Sequence, residues 1–400
     1  MSGIGALYLF KPIFESRYLM SKANIKPKST RGKKSLRQKK QPRVVALVPA
    51  HNEAKTIART IESLMNQTYN LSYALIIIDN CSDMTLRVVH NCQKQYGKKK
   101  LRVMKTVNNR YKKAGALNQG FKAVTRKPDF IFCMDADTVL DPGIIKAGVS
   151  QLINEPTTGG ICSAYRTLPL PQGASKWERY LWRLQNIEFS LANAWRVENY
   201  NNARVLPGVS VIFRSTALSA ISRQNDGIVW ATDSLVEDYR LTLELKDLGW
   251  SVKSSLEMVS WSDVPLRIRG KGGLFDQRQR WYSGTVDEIR RRGFKKHSRY
   301  EALTIGLLSL NLLMRGLLYS VYIVLALSGN LAQLVSLFLL LPLSAALIQY
   351  YRWNKYADQK DKWQALMTIS LIPNELYAIF REMVYTYSVW VSYARPERAW

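Results

Sequence analysis

The chain has 400 residues, 47% of them apolar, with 58 Lys and Arg against 30 Asp and Glu and a formal charge of +28. Such a chain can form one large domain or two smaller ones with a real core, and its charge points to nucleic acid, an anionic membrane or phosphorylated substrates as partners. The four cysteines, none in a CxxC pair, speak against a zinc site or a disulfide framework and suit a reduced cytosolic domain.

The basic excess is uneven. Residues 1–43 hold twelve Lys and Arg and one acid, Glu15. The opening GALYLF is cut short by Lys11 and Glu15 and lacks the apolar run and cleavage site of a signal peptide. KPKSTRGKKSLRQKKQPR (26–43) is polar and low in aromatics, so residues 1–42 are assigned to a flexible basic arm, attracted to lipid rather than to nucleic acid. VVALVPA (44–50) predicts a buried strand, and 56–67 a helix with Ile57, Ile61, Leu64 and Met65 on one face. ALIIIDN (74–80) and LRVMKTV (101–107) predict further strands, KAGALNQGFKAV (113–124) a helix, and FIFCMDAD (130–137) a strand. This alternation predicts a parallel, right-handed α/β sheet, with ligands at the carboxyl ends of its strands. Pro49, His51, Glu53, Asp79 and the pair Asp135 and Asp137 all fall at such ends. A Trp-rich helix (about 175–199), a strand (205–215), a helix (233–249), a strand (250–261), a Gly/Arg loop (267–273) and a helix through 277–284 follow.

From Ala302 to Tyr351 the chain turns apolar. NLLMRGLLYSVYIVLALSG (311–329) and LAQLVSLFLLLPLSAALIQYY (331–351) are each long enough to cross a bilayer and are joined by the uncharged Gly329-Asn330. Arg290, Arg291, Arg292, Lys295, Lys296 and Arg299 flank one outer end, and Arg352, Lys355, Lys360 and Lys362 the other. The positive-inside rule then predicts a hairpin with both ends cytosolic, the alternative being a buried helical hairpin in a soluble core. Arg315, one turn inside the first run, is expected to snorkel or to meet a lipid phosphate. Residues 363–393 mix aromatics with sparse charge and predict interfacial helices broken at Pro373.

Carboxylates at i and i+2 on a strand share a face. At a strand's carboxyl end, Asp135 and Asp137 suit a hard divalent cation with oxygen ligands, Mg²⁺ or Mn²⁺. A lone D-x-D is a weak signal, but its context is ordered: VPAHNE, IIIDNCSD, KKAGALNQG, MDAD, VED and QRQRW occur in this sequence along the chain. Together they resemble family 2 glycosyltransferases with the GT-A (Rossmann-like nucleotide-diphospho-sugar transferase) fold. The match is to the membrane-bound subgroup of cellulose, chitin, hyaluronan and poly-N-acetylglucosamine synthases, over residues 43–290.

The resemblance implies donor binding by Pro49, His51 (where Tyr is usual, beside the uracil), Glu53, Asp79, Lys113, Asp135 and Arg280. It implies metal ligation by Asp137 with Asp135, general-base catalysis by Asp238, and acceptor binding or site closure by Gln277, Trp281 and Glu237. Asn80 stands where a second acid is frequent and Val236 where Thr is usual, and no N-terminal span precedes the domain, unlike many polysaccharide synthases. The chemistry is consistent with these roles. A departing diphosphate needs cationic stabilisation, an acceptor hydroxyl needs a base, and an indole offers a flat face to a sugar.

The expectation is an α/β GT-A domain followed by interfacial helices and a C-terminal transmembrane hairpin. The segments are the arm 1–42, the GT-A domain 43–292, the hairpin 300–352 and interfacial helices 353–400. The expected function is a multi-pass enzyme of the cell (inner) membrane with a cytoplasmic catalytic domain. It would move a sugar, with inversion and with Mg²⁺ or Mn²⁺, from a UDP-sugar to a saccharide or lipid-linked acceptor. Processive polysaccharide synthesis and transfer of a single sugar to a lipid or protein both remain open. The contrasting class is a basic membrane- or nucleic-acid-binding protein without catalysis, although no nucleic acid partner is expected.

Overall fold

A computed structural model describes residues 41–270, 272–293, 295–338 and 343–394. The arm, apart from its last two residues, lies outside the described residues, as do 339–342 within the second apolar run and the end of the interfacial segment from 395. The chain opens with β1 (Val44–Ala50), α1 (Ile57–Met65), β2 (Tyr73–Ile78), α2 (Thr85–Tyr96), β3 (Leu101–Lys105), α3 (Lys112–Ala123) and β4 (Phe130–Met134). It continues with β5 (Val139–Leu140), α4 (Ile144–Asn154), β6 (Thr158–Thr167), α5 (Lys176–Glu198), β7 (Ser210–Arg214), α6 (Ser215–Gln224), α7 (Glu237–Asp247) and β8 (Ser251–Ser262).

The strands form one sheet in the order β3-β2-β1-β4-β7-β6-β8-β5. Along each strand alternate side chains enter opposite layers. Val44, Ala46 and Val48 join Ile57, Ile61 and Leu64 of α1, Val89 of α2 and Ile144 of α4 in one core. Val45 and Leu47 join Leu117 and Phe121 of α3, Leu218 of α6 and Leu241 of α7 in the other. The apolar face expected on α1 is the face that is buried.

Two expectations change. The β1–β2, β2–β3, β1–β4 and β6–β8 pairs are parallel, but β4–β7, β6–β7 and β5–β8 are antiparallel. A strand buried on both faces reads as a continuous apolar run whichever way it points, so its direction is not legible in its composition. The fourth strand also stops at Met134, before the acidic pair. Its pairing with β7 ends at Met134 and Ser210, and the amide of Thr138 then donates to the Asp135 carbonyl at 3.3 Å to close a turn. Asp135 and Asp137 are therefore turn residues rather than neighbours on a strand face.

The C-terminal third is helical: α8 (Leu274–Arg292), α9 (Arg299–Leu327), α10 (Leu331–Phe338), α11 (Ser344–Tyr356), α12 (Lys362–Ile369) and α13 (Leu371–Ala394). Leu184 and Ile187 of α5, Leu274 of α8, Trp353 of α11, Met367 of α12 and Tyr377 of α13 share one core cluster. Among the described residues one helical stretch, Leu310–Leu327, is long and apolar enough to cross a membrane, with a mean hydropathy of 1.7. The second run appears as α10 and α11 on either side of 339–342. The break expected at Pro373 falls at Ser370, and Pro373 sits in the first turn of α13. A proline ring clashes with the carbonyl four residues earlier but is tolerated in a first turn, so α12 ends before it.

Arg315 does neither of the things expected of it. Its guanidinium is buried against α13, where Nε and Nη2 donate to Glu382 at 3.1 and 2.9 Å and Nη1 pairs with Glu375. An arginine inside an apolar helix is cheapest when a carboxylate neutralises it there. Glu382→Gln should therefore destabilise the fold by about 3–5 kcal/mol, the usual result of leaving a buried charge half-paired. The double exchange Arg315→Leu with Glu382→Leu should recover much of that loss. Thermal denaturation in one detergent checks both; an unchanged midpoint for Glu382→Gln would show that the pair carries no stability.

Candidate active site

Beyond the carboxyl ends of β1, β2 and β4 lies a cavity of about 1520 Å³. The loops that form it are tied together locally. Asn52 and Asn80, which follow β1 and β2, both have positive φ, of 57° and 47°, a conformation Asn adopts more readily than most residues. The Asn52 side-chain carbonyl accepts from the amides of Ser82 at 2.8 Å and Asp83 at 3.3 Å, which joins the two loops.

All twelve residues singled out in the sequence line this cavity: Pro49, His51, Glu53 and Asp79 from the first two loops, Lys113, Asp135, Asp137, Glu237, Asp238, Gln277, Arg280 and Trp281. Asp79 is buried, and its Oδ1 accepts from Asn109 Nδ2 at 2.7 Å, Thr106 Oγ1 at 2.9 Å and Asn80 Nδ2 at 3.3 Å. His51 Nδ1 lies 2.7 Å from the Asp79 backbone carbonyl. A carbonyl can only accept, so Nδ1 carries the proton and Nε2 is the acceptor facing Asn52 Nδ2 at 3.3 Å.

Lys113, at the start of α3, reaches across the site. Its ammonium pairs with Asp135 and lies 3.9 Å from Glu237. Burial opposes its charge, but Asp135, Glu237 and Asp238 outweigh this and hold its pKa above the ordinary value. The carboxylates show the converse. Asp137 is pushed up to about 7 by burial, then by Asp135, Glu53 and Asp263, with Lys113 opposing. Glu237 is likewise raised to about 7, chiefly by burial. Burial also raises Asp238, against Lys113 and the amides of Tyr239 and Gly208. Those amides donate to its two oxygens at 2.7 and 3.3 Å. Glu53 is raised by burial, against a bond from Thr56 Oγ1 at 2.6 Å.

Among the described residues no three His, Cys, Asp or Glu side chains form a ready cage for a metal ion. The donor set still fits a hard divalent ion, which takes one or two carboxylates and completes its shell from water and substrate phosphates. Asp135 and Asp137 supply oxygen ligands, and the raised Asp137 is a carboxylate short of positive charge.

The sequence reading missed several residues. Asp263 lines the cavity and adds to the charge pressing on Asp137. Asn109 holds Asp79. In QRQRW the fully buried arginine is Arg278, not Arg280. Arg278 Nη2 donates to Glu188 at 2.6 Å and Nη1 to Gln277 at 2.8 Å, and its guanidinium stacks 4.4 Å from the Trp281 ring centre. Glu188 also accepts from Tyr377 at 2.8 Å and Arg381 at 3.2 Å. Helical spacing was the available signal: 277, 280 and 281 share a face, and 278 lies about 100° around the axis from 277.

A sequence profile described as Glycosyl transferase family 2 matches residues 45–218. That stretch of the chain is similar to glycosyltransferase family 2. The poly-beta-1,6-N-acetyl-D-glucosamine synthase of Staphylococcus epidermidis is 28% identical over 241 residues, 60% of this chain and 53% of that protein. The probable glycosyltransferase YdaM of Bacillus subtilis is 27% identical over 252 residues, covering 62% and 56%. The chain thus spans about half the length of these curated relatives. A solved structure with a similar fold is the mannosyltransferase PcManGT of Pyrobaculum calidifontis, in complex with GDP-Man and Mn²⁺. It is 18% identical with a TM-score of 0.53 and covers 95% of this chain and 99% of its own. The profile ends before Glu237, Asp238, Gln277, Arg280 and Trp281, yet the fold brings those residues to the same cavity as the matched part.

Gly208 controls the approach of Lys113. A Cβ built on it would stand 2.3 Å from the Lys113 ammonium, which lies at the end of a flexible side chain and can move. Gly208→Ala should leave the melting temperature nearly unchanged while displacing the ammonium from Asp135. Affinity for a nucleoside diphosphate should then fall about tenfold, the equivalent of 1.4 kcal/mol. Calorimetry on both proteins checks this, and equal affinities would mean that Lys113 does not meet the ligand.

Proposed function

We propose that the chain is a membrane-bound, inverting transferase that moves a sugar from a UDP-sugar to a saccharide or lipid-linked acceptor with a Mg²⁺ or Mn²⁺ ion. One observation carries the reading: residues scattered from Pro49 to Trp281 converge on one cavity lined by both cationic and anionic side chains. The relatives named as synthases and the GDP-Man and Mn²⁺ complex of the structural neighbour support it.

In this reading Asp79 and His51 receive the nucleoside, and Lys113 and Arg280 hold the diphosphate. Asp135 and Asp137 would hold the metal, which when bound supplies positive charge to the departing diphosphate. Asp238 takes the proton of the acceptor hydroxyl. Its two amide bonds fix the carboxylate, and burial raises its proton affinity toward that of a working base. Trp281, stacked on Arg278, presents an indole to the sugar ring. Gln277 and Glu237 line the acceptor side. The Leu310–Leu327 helix and the flanking basic clusters support a hairpin in the cell (inner) membrane with the catalytic domain cytoplasmic. We divide the chain into the arm 1–42, the catalytic domain 43–292, the hairpin 300–352 and interfacial helices 353–400.

The test is a donor screen on detergent-purified protein with Mg²⁺ or Mn²⁺, following nucleoside diphosphate release and product mass. A chelator and Asp137→Ala should each abolish turnover and weaken donor binding; full activity with a strong chelator present would remove the metal from the scheme.

Asp238→Asn should lose transfer by about 10²–10⁴, as expected for a lost general base, and keep donor affinity by calorimetry. Near-normal transfer would make Asp238 structural, and a parallel fall in donor binding would make it a donor-site residue.

A further inference from the structure

Helix α8 does more than carry Gln277 and Trp281 to the cavity. Gln277, Trp281, Gly284 and Glu288 follow one another at intervals of four, three and four residues, so they share one face of the helix. The first two line the cavity. The last two are buried against the segment that leads into Asp238. A Cβ built on Gly284 would stand 2.8 and 2.9 Å from the two methyl carbons of Val236 and 3.1 Å from Leu235 Cβ. Neither neighbour can swing clear. Valine is branched at Cβ and stiff, and a Cβ is fixed to its backbone. Glu288, 3% exposed, accepts from Ser234 Oγ at 2.7 Å and pairs with Arg291. The same Ser234 hydroxyl accepts from the Val236 amide at 3.3 Å. Val236 is the residue before α7, and its carbonyl accepts the first bond of that helix, from the Arg240 amide at 3.1 Å. Asp238 is the second residue of α7. On its other side the start of α7 is tied to 206–208. The Gly208 amide reaches the Asp238 carboxylate at 3.3 Å. Thr242 Oγ1 donates to the Asp238 carbonyl at 2.6 Å and accepts from the Leu206 amide at 2.9 Å.

We propose that Gly284 is a positioning residue for Asp238, with Glu288 acting beside it through Ser234. The missing side chain lets residues 235–236 seat directly on α8, and that depth of seating sets where the Asp238 carboxylate stands. This rests on the reading of Asp238 as the base. A base works only within hydrogen-bond reach of the proton it takes, and a misplacement of about 1 Å from a remote change can cost about 10²-fold in rate. A methyl group on Gly284 would force the backbone at Val236 away by several tenths of an ångström. The donor side of the cavity, at Asp79 and His51, is built from other loops and is not touched.

The experiment uses full-length protein in detergent. The donor is whichever UDP-sugar the protein cleaves, and UDP with Mn²⁺ is the binding probe. Gly284→Ala should lower kcat by about ten- to a hundredfold and leave donor KM and UDP affinity by calorimetry unchanged. Val236→Ala removes both methyl groups that the new Cβ would meet, so the double variant should regain most of the lost kcat. Placed in Asp238→Asn, Gly284→Ala should cost almost nothing further, because the group it misplaces is gone. Damage to packing alone would lower both backgrounds equally. If Gly284→Ala does not fold, Ser234→Ala takes its place, with kcat falling about tenfold at unchanged UDP affinity. Wild-type kcat in the variant used, a parallel fall in UDP affinity, an equal loss in the Asp238→Asn background or no recovery with Val236→Ala overturns the proposal. Normal transfer by Asp238→Asn itself would instead overturn the assignment of the base. Absence of UDP release from every donor would overturn the glycosyltransferase reading, and the proposal falls with either.

Discussion

The ammonium of Lys113 is the charge around which the rest of the site is arranged. It meets Asp135 directly and lies within reach of Glu237, with Asp238 close enough to act on it. Beyond these stand Asp137, Glu53 and Asp263, and Asp137 is pressed upward by burial and then by Asp135, Glu53 and Asp263. Carboxylates so crowded in a partly desolvated cavity resist ionising together. One lysine relieves only part of this. The site is electrostatically prepared for more positive charge on the Asp137 side, which accounts for an acidic cluster in a chain whose net charge is +28.

A second arrangement of charge holds helix α8 in place. Glu188 of α5 receives Arg278 from α8 and Arg381 and Tyr377 from α13. Burial would raise the Glu188 pKa, but the two guanidinium groups and the Tyr377 hydroxyl hold it below the usual carboxylate range. Because Arg278 also stacks on Trp281 and bonds Gln277, the position of those cavity residues depends on helices far along the chain. Through Glu382 and Glu375, the same α13 grips Arg315 of the membrane-length helix. Two separate groups of ion pairs, both on α13, thus tie the apolar region and the rim of the cavity to one helix. Breaking a buried pair costs more than making one contributes, so these pairs specify how the helices seat more than they stabilise the whole.

Much of this was legible in the sequence by itself. Apolar runs ending in Asp79 and in the Asp135 and Asp137 pair located the strands and put the acids at their ends, because hydrophobic periodicity is a local property. The order of VPAHNE, IIIDNCSD, KKAGALNQG, MDAD, VED and QRQRW was enough to collect twelve residues that share one cavity. The sequence also marked 311–329 and 331–351 as apolar runs of membrane length; among the described residues one such helical stretch, Leu310–Leu327, meets both length and composition. What only the tertiary structure decided concerns relations between distant residues. The direction of β7 and the end of β4 at Met134 depend on pairing partners, not on side-chain polarity. Arg278 and Arg280 are chemically identical, and only the packing of α8 against α5 and α13 buries the first at Glu188 and leaves the second at the cavity. Arg315 could have met water, lipid or protein; it meets Glu382, 67 residues away, because a buried guanidinium takes the nearest carboxylate the fold supplies.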